Sequence, residues 1–446
     1  MFALNLTTEW MAWVQALAVP LHRRAAWRLA SVVVGILTAH GRRTASSWWR
    51  AAAVGDRFRS YYYFLDAVGR KTAQVAAVLL GLVLHRIPPG ERLLFAIDDT
   101  PTKRYGPEVQ GAGIHHNPTP GPAGAKFLYG HNWVVLSRIA SHQRFGTISL
   151  PLLGSLYVRR KDIPDLPAKA GIDFRTKLEL ATEQLAWAAK VLPESCPRWI
   201  AVDGAYAKRE FLKGAKRDGF VVVARLRKDA ALFDLPPVIP PGQKRGRGRP
   251  RIYGKGRLSL AKRAGQPRAW QDVEVRTTTG VTVTKQVKTF LATWQPAGGL
   301  VRVVIIKEAD GSWRAFLCTA AEATVESIVQ AAQDRWGIEQ SFHDLKEVEG
   351  IEQVQLRRVW ANVGALNINL WVHTLIELWA WDRPSSELIG RDDRPWDDAE
   401  RRPSHADRRR ALQRTMIEEE YRRRSGSGGV TEKIRQLFEN VVRLIA

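Results

Sequence analysis

Three acidic positions in this 446-residue chain stand where carboxylates can converge: Asp99 and Asp203, each closing a short apolar run, and Glu339 inside a segment of helical spacing. Leu93-Leu94-Phe95-Ala96-Ile97 ends abruptly in Asp98-Asp99-Thr100, and Trp199-Ile200-Ala201-Val202 ends in Asp203-Gly204. Apolar runs of this length, bounded by polar residues, read as central strands buried on both faces. Strands of one sheet bring their ends together, so Asp99 and Asp203 can be neighbours, and Glu339 must arrive on a helix packed against the sheet. Two or three converging carboxylates suit Mg²⁺, a hard cation that takes oxygen ligands and keeps waters for substrate phosphates. A pair of such ions can polarise a scissile phosphate, activate a water or 3′-hydroxyl, and stabilise the leaving oxygen of an in-line displacement.

Helical geometry selects the companions of Glu339. At about 100° per residue, Arg335 lies roughly 40° and Lys346 roughly 20° from Glu339, whereas Asp344 is about 140° away. A carboxylate flanked by two cations suits a metal beside a phosphate; an intrahelical ion-pair stripe on a solvated helix is the bland alternative.

The elements that must position these residues follow from periodicity. Trp10 to about Arg86 reads as helical with interleaved Arg, and Gly41–Arg50 has the look of a turn entering a recognition helix; Tyr61, Tyr62 and Tyr63 read as core and interface aromatics. Strands are expected at Leu93–Ile97, Asn132–Ile139, Phe145–Leu153, Trp199–Val202 and Phe220–Ala224, with helices at Phe174–Val191 and Lys208–Arg217. That order predicts an α/β domain, a mixed sheet covered by helices. Pro236-Pro237 and Pro240-Pro241-Gly242 mark a linker, Lys244–Arg268 holds ten Lys/Arg and no acid, and Trp270–Phe316 reads as a β-rich insertion. One long helix, Ala323–Glu347, and another, Val363–Trp381, are expected after it. From Arg383 the chain is highly charged and closes in an amphipathic helix, Thr431–Ile445.

Composition narrows the class. With 68 Lys plus Arg against 44 Asp plus Glu, a net charge of +24, the partner is a polyanion, and nucleic acid is the commonest. The longest apolar stretches, Ala73–Leu84 and Ala30–Ala39, are too short to span a membrane and read as buried helices. Met1–Glu9 lacks the pattern of a secretory signal, and isolated Cys196 and Cys318 argue for a reducing cytoplasm and against a disulfide framework or structural zinc.

At this point the motifs can be compared with a family. Arg335-Trp336-Gly337-Ile338-Glu339 through Lys346 matches R-x3-E-x6-K, Phe95–Thr100 resembles a first-Asp strand, and Ala201–Tyr206 a second. In this order, with an insertion before the third, the chain resembles the bacterial insertion-sequence DDE transposases that carry a Y-x2-R-x3-E-x6-K signature, over about Leu93 to Trp371. The signature Tyr would fall on Ala332. In the first motif Asp99 is favoured because the family's catalytic Asp directly precedes Thr, with Asp98 the alternative.

The resemblance implies an RNase H-like domain, in two parts at 89–235 and 321–382, in which Asp99, Asp203 and Glu339 hold two Mg²⁺, with Mn²⁺ able to substitute. It implies a helical DNA-binding domain at 1–88, a basic linker and β-rich insertion at 236–320, and a charged C-terminal region at 383–446. The implied activity is cut-and-paste DNA transposition: cleavage at the ends of an insertion element, commonly through a hairpin, then attack of the 3′-hydroxyl on target DNA. Partners would be double-stranded DNA, both element ends and target, and a second copy in a homodimeric synaptic complex, with no membrane; the location would be the bacterial nucleoid. Arg335 and Lys346 would grip phosphates beside the scissile bond.

Further contacts come from the residues themselves. Arg247-Gly248-Arg249-Pro250-Arg251 resembles an AT-hook core, or serves as a basic loop on phosphates. Trp294 and Trp313 are candidates for stacking a flipped base or for core of the insertion. His115, His116 and His131 follow the first Asp, without zinc-ligand spacing. A silent DNA-binding regulator would not need the carboxylates, an RNA-binding protein would not need the three ordered motifs, and a ribonuclease of the same fold would not need the insertion.

Overall fold

The computed structural model describes residues 4–117, 124–237, 250–390, 396–398 and 400–425. Five helices open the chain: α1 (Thr8–Ala18), α2 (Arg28–Thr38), α3 (Ala45–Ala51), α4 (Phe58–Gly69) and α5 (Thr72–Arg86). The apolar stretches Ala30–Ala39 and Ala73–Leu84 fall in α2 and α5 and are largely buried. Among the described residues no single helix is long and apolar enough to cross a membrane. Thr44 caps α3, its hydroxyl accepting from the Ser47 amide at 3.2 Å. That helix has seven residues and buries Trp48 and Trp49. Trp49 meets the rings of Tyr61 and Tyr62, while Tyr63 is exposed beneath the Arg358 guanidinium.

Next come β1 (Leu93–Lys103), β2 (Gly113–His116), β3 (Phe127–His142), β4 (Gly146–Tyr157), α6 (Lys177–Val191), β5 (Arg198–Val202), α7 (Arg209–Arg217) and β6 (Phe220–Leu226). A capping box starts α6, Thr176 and Glu179 each satisfying the other's backbone amide. The β-rich segment supplies β7 (Leu232–Phe233), β8 (Arg257–Leu258), α8 (Leu260–Gly265), β9 (Gln271–Arg276), β10 (Thr282–Trp294), β11 (Gly299–Lys307) and β12 (Trp313–Cys318). The chain continues through α9 (Val325–Asp334), α10 (Trp336–Glu347), α11 (Val359–Ala380), α12 (Ser385–Leu388) and α13 (His405–Ser425).

The described strands form one twelve-stranded mixed sheet in the order β2-β3-β1-β5-β6-β12-β11-β10-β7-β8, with β4 on β3 and β9 on β10. The pairs β1–β5 and β5–β6 are parallel and the others antiparallel. The insertion is thus not a separate sheet: β12 joins β6 through four residue pairs, Ala315↔Leu226 to Cys318↔Val223. Strand alternation at β1 divides the helices between two faces. Trp199, on the face of Leu94, lies under Arg92, whose guanidinium reaches the Ser327 carbonyl of α9. On the other face Arg138, opposite Phe95, donates to the Val83 and Ile87 carbonyls at the end of α5.

Buried α11 is the axis on which the N-terminal helices meet the sheet. Gly69 of α4 and Gly364 of α11 let the two backbones touch: a Cβ on Gly364 would lie 2.1 Å from the Leu65 carbonyl oxygen, and one on Gly69 would lie 2.0 Å from that of Trp360. Gly364→Ala must therefore part the helices, and urea unfolding should show a loss of about 1–3 kcal/mol. An unchanged midpoint would mean that the crossing is not close-packed.

The single long helix expected over Ala323–Glu347 is interrupted at Arg335, which ends α9 and begins α10 while keeping helical dihedrals. In the charged C-terminal region, 405–425 forms α13 and packs on α2, α11 and α12. The expected helix Thr431–Ile445 lies outside the described residues, as do Arg247 and Arg249.

Candidate active site

Asp98 and Asp99 are consecutive on β1, so an extended backbone sends their side chains to opposite faces. Asp98 goes to the α9–α10 face. Its Oδ2 accepts from Arg335 Nη1 at 3.1 Å, while Arg335 Nη2 donates to Glu339 Oε1 at 2.8 Å. One guanidinium, 10% exposed, thereby holds both carboxylates. Asp99 goes to the other face, where Lys177 at the start of α6 pairs with its Oδ2 at 2.6 Å and the Tyr206 hydroxyl donates to its Oδ1 at 3.4 Å. Sequence favoured Asp99, from its place before Thr100; the structure brings Asp98 to the helix of Glu339.

Asp203 follows from the parallel register. Ile97 pairs with Val202, so the next residues, Asp98 and Asp203, stand side by side, Asp203 just past the end of β5 and Asp98 midway along β1, which runs on to Lys103 beyond the apolar run. Its carbonyl accepts from the Tyr206 amide at 3.0 Å, a turn that folds Tyr206 back beneath the aspartates. Burial pushes the Tyr206 hydroxyl well above its ordinary pKa, and the nearby Asp99, Asp98 and Asp203 charges push the same way. Burial likewise raises the Asp98 carboxyl to about 7, with Arg335 opposing.

Several contacts fix α10 over the sheet. Ser149 of β4 bonds Ser341 at 3.2 Å, and a Cβ on Gly337 would lie 3.0 Å from Thr147 Cγ2, so the glycine lets α10 approach β4 without crowding that methyl. Upstream, Asp334 Oδ1 accepts from Thr147 Oγ1 at 2.8 Å and from Gln330 Nε2 at 2.9 Å. Lys346, on the same helix, is half-buried and has its pKa lowered by burial, with smaller opposing effects from the charges of Glu352 and Lys103. Ala332, at the signature Tyr position, is buried and lines a cavity of about 340 Å³ with Lys285, Arg314, Phe316 and Trp336. Trp336 is a residue the sequence reading passed over: 41% exposed, it carries the guanidiniums of Arg335 and Arg314 at 5.3 and 5.9 Å from its ring. Its signal was its place directly after Arg335.

Other sequence candidates fall elsewhere. Trp294 is buried, and Trp313 is half-buried beneath Lys228. Arg251 is exposed. His131 is buried with Nε2 on the Gln110 carbonyl at 3.0 Å, His115 is buried, and His116 is exposed.

One further cluster has metal-ligand residue types. Among the described residues, Glu349, His373 and His405 place ligand atoms within 4.8 Å of one another, whereas the three site carboxylates form no such group. Its chemistry opposes a cation. His405 is held at both ring nitrogens, by Glu377 at 2.6 Å and Glu349 at 3.0 Å, and its ring stacks on that of His373 at 3.9 Å and 18°. Stacked rings direct their in-plane lone pairs alongside each other rather than toward a shared ion. Arg408 pairs with Glu377, and the charge of Arg409 acts on Glu349, so both acids already have cations. This is a buried ion network joining α13 to α11 and to the end of α10.

Set against known proteins, residues 16–294, more than half of the chain, match the sequence profile of a family described as DDE superfamily endonuclease. The chain belongs to the DDE superfamily endonucleases. The matched span takes in Asp98, Asp99 and Asp203 and ends before Glu339. A sequence search of characterised proteins finds no match. Among solved structures, this DDE superfamily endonuclease is similar to the piggyBac transposase in a synaptic complex with hairpin DNA, at 12% identity and a TM-score of 0.38, over 96% of this chain and 76% of that one. It is also similar to the NurA nuclease of Sulfolobus solfataricus, at 10% identity and a TM-score of 0.24, over 63% of this chain and 86% of that one.

Proposed function

We propose that this DDE superfamily endonuclease is a transposase that cleaves the ends of a DNA element and joins the freed 3′-hydroxyls to target DNA, with Asp98, Asp203 and Glu339 as its carboxylate triad. The observation that carries this reading is the convergence of Asp98 and Glu339 on one buried guanidinium, beside the strand that ends in Asp203. The donors are all carboxylate oxygens, which fits Mg²⁺ or Mn²⁺ and not a softer metal. When bound, such ions supply Lewis-acid activation of a phosphodiester and of the attacking oxygen.

The chain's own residues account for the rest. Asp98, Asp203 and Glu339 hold the ions, and Glu339 comes on a helix whose position Gly337 and Ser341 fix. Lys346, two turns along α10 from Glu339, and Lys103, five residues beyond Asp98 on β1, supply positive charge for phosphates flanking the site. Asp99 is a positioning residue: through Lys177 and Tyr206 it ties the middle of β1 to α6 and to the turn after Asp203. A homodimer acting on two paired ends completes the reading.

The test is cleavage of a duplex carrying the candidate end sequence. Expected is cleavage that needs Mg²⁺ or Mn²⁺, is abolished by EDTA, and leaves 3′-hydroxyls that a polymerase can extend. Cleavage indifferent to EDTA, or ends bearing 3′-phosphate, would refute the proposal. DNA affinity measured by anisotropy should fall linearly in log–log form with salt, by about 10³ or more between 50 and 200 mM if at least about six phosphates are neutralised.

A further inference from the structure

Asp98 and Glu339 are joined here through Arg335 rather than through each other. The two N–H groups of a planar guanidinium reach one oxygen of each acid, at 3.1 and 2.8 Å. The arrangement satisfies the charge of a half-buried carboxylate that no other cation contacts: Asp98 otherwise has only the Asp99 amide on its Oδ1, at 2.8 Å. It also commits to N–H donors the oxygens that a divalent ion would use. Arginine cannot leave such a pair by losing its proton, so the guanidinium has to move.

The surroundings show where it can go. Arg335 sits at the interruption between α9 and α10, and its guanidinium already lies 5.3 Å from the ring of Trp336, which is 41% exposed. A swing toward that exposed ring would take the head group away from the carboxylates. Phosphate is the acceptor that competes best for a guanidinium, because it too offers two oxygens to the fork.

We propose that Arg335 is the resident counter-ion of the carboxylate pair and that a DNA phosphate, by drawing its guanidinium away, frees Asp98 and Glu339 for the divalent metal. DNA and metal then bind with positive coupling, and the coupling is reciprocal. An enzyme built this way does not assemble its hydrolytic centre on metal alone. The inference rests on the transposase reading of the site and adds an order to its assembly.

The test measures Mn²⁺ affinity by electron paramagnetic resonance of the free ion, on the full chain, with and without a phosphorothioate-backbone duplex. Wild type should bind Mn²⁺ about tenfold or more tightly with the duplex than without it. Arg335→Gln should bind Mn²⁺ about tenfold more tightly than wild type without DNA, and the gain from DNA should shrink to within about twofold. Arg335→Lys, which keeps a charge but can reach only one acid, should fall between them. Circular dichroism confirms that each variant is folded. If Mn²⁺ binds at a site that Asp98→Asn abolishes, yet Arg335→Gln binds no more tightly than wild type, the counter-ion role is refuted and the transposase reading stands. If Asp98→Asn leaves Mn²⁺ binding unchanged in both proteins, both fall together.

Discussion

Asp98→Asn should lower metal-dependent cleavage about a thousandfold or more, while Asp99→Asn lowers it only about 10–100-fold. A metal ligand supports several kcal/mol of transition-state stabilisation, and about 4 kcal/mol is a thousandfold in rate. A residue one contact removed from such a ligand typically costs 10–100-fold. The two aspartates are adjacent in sequence and almost equal in exposure, so the difference isolates direction. Asp98 meets the guanidinium shared with Glu339, and Asp99 meets Lys177 and Tyr206 on the other face. Asp203→Asn and Glu339→Gln should match Asp98→Asn. The measurement is a single-turnover cleavage rate at saturating Mg²⁺, read alongside DNA affinity. A dead Asp99→Asn with an active Asp98→Asn would reverse the assignment. Lys177→Met should resemble Asp99→Asn, because it removes the other half of the same ion pair.

The second large effect concerns stability. His405→Ala should cost about 3–5 kcal/mol in urea unfolding, because it leaves Glu349 and Glu377 buried with a cation removed from between them. Burial alone would lower the His405 pKa, but hydrogen bonds to Glu349 and Glu377 override it and raise the imidazolium to about 9. A raised folded pKa means stability that is complete below the unfolded value of about 6.5 and is lost as pH climbs through about 9, some 3 kcal/mol in all. Glu349 has the opposite sign. Burial would raise it, yet Arg409 and His405 bring it down to about 2, so its contribution is complete above the ordinary carboxylate range and fades as pH falls toward 2. Wild-type stability should therefore be greatest between about pH 4.5 and 6.5, and His405→Ala should flatten the alkaline side. Equal wild-type midpoints at pH 6 and 9 would contradict the network. So would a midpoint that falls with EDTA equally in wild type and in Asp98→Asn, since that would mean the cluster holds a metal.

Much of this architecture could be read from the chain because its signals are local. The run Leu93–Ile97 names the start of β1, which continues six residues further, while Trp199–Val202 and Phe174–Val191 name β5 and α6 to within about three residues of each boundary. Helical angles alone placed Arg335 and Glu339 on one face, and they form an ion pair. What could not be read depended on faces and distant partners. Alternation shows that Asp98 and Asp99 diverge, but not which face receives α10. The closure of β12 on β6 joins residues far apart in sequence and leaves no local mark. The C-terminal region read as a charged tail because composition counts charges without their partners; in α13, His405, Asp407, Arg408 and Arg409 are buried and paired, with Arg409 donating to carbonyls of α2 and to that of Val348.

The central claim is that a divalent ion required for DNA cleavage sits among Asp98, Asp203 and Glu339. Anomalous scattering from Mn²⁺ in crystals of the protein bound to an end duplex tests it most directly. A peak is expected between Asp98 and Glu339, within coordination distance of Asp203, and its loss in Asp98→Asn. A peak on Asp99, or at Glu349, His373 and His405 with none among Asp98, Asp203 and Glu339, would contradict it.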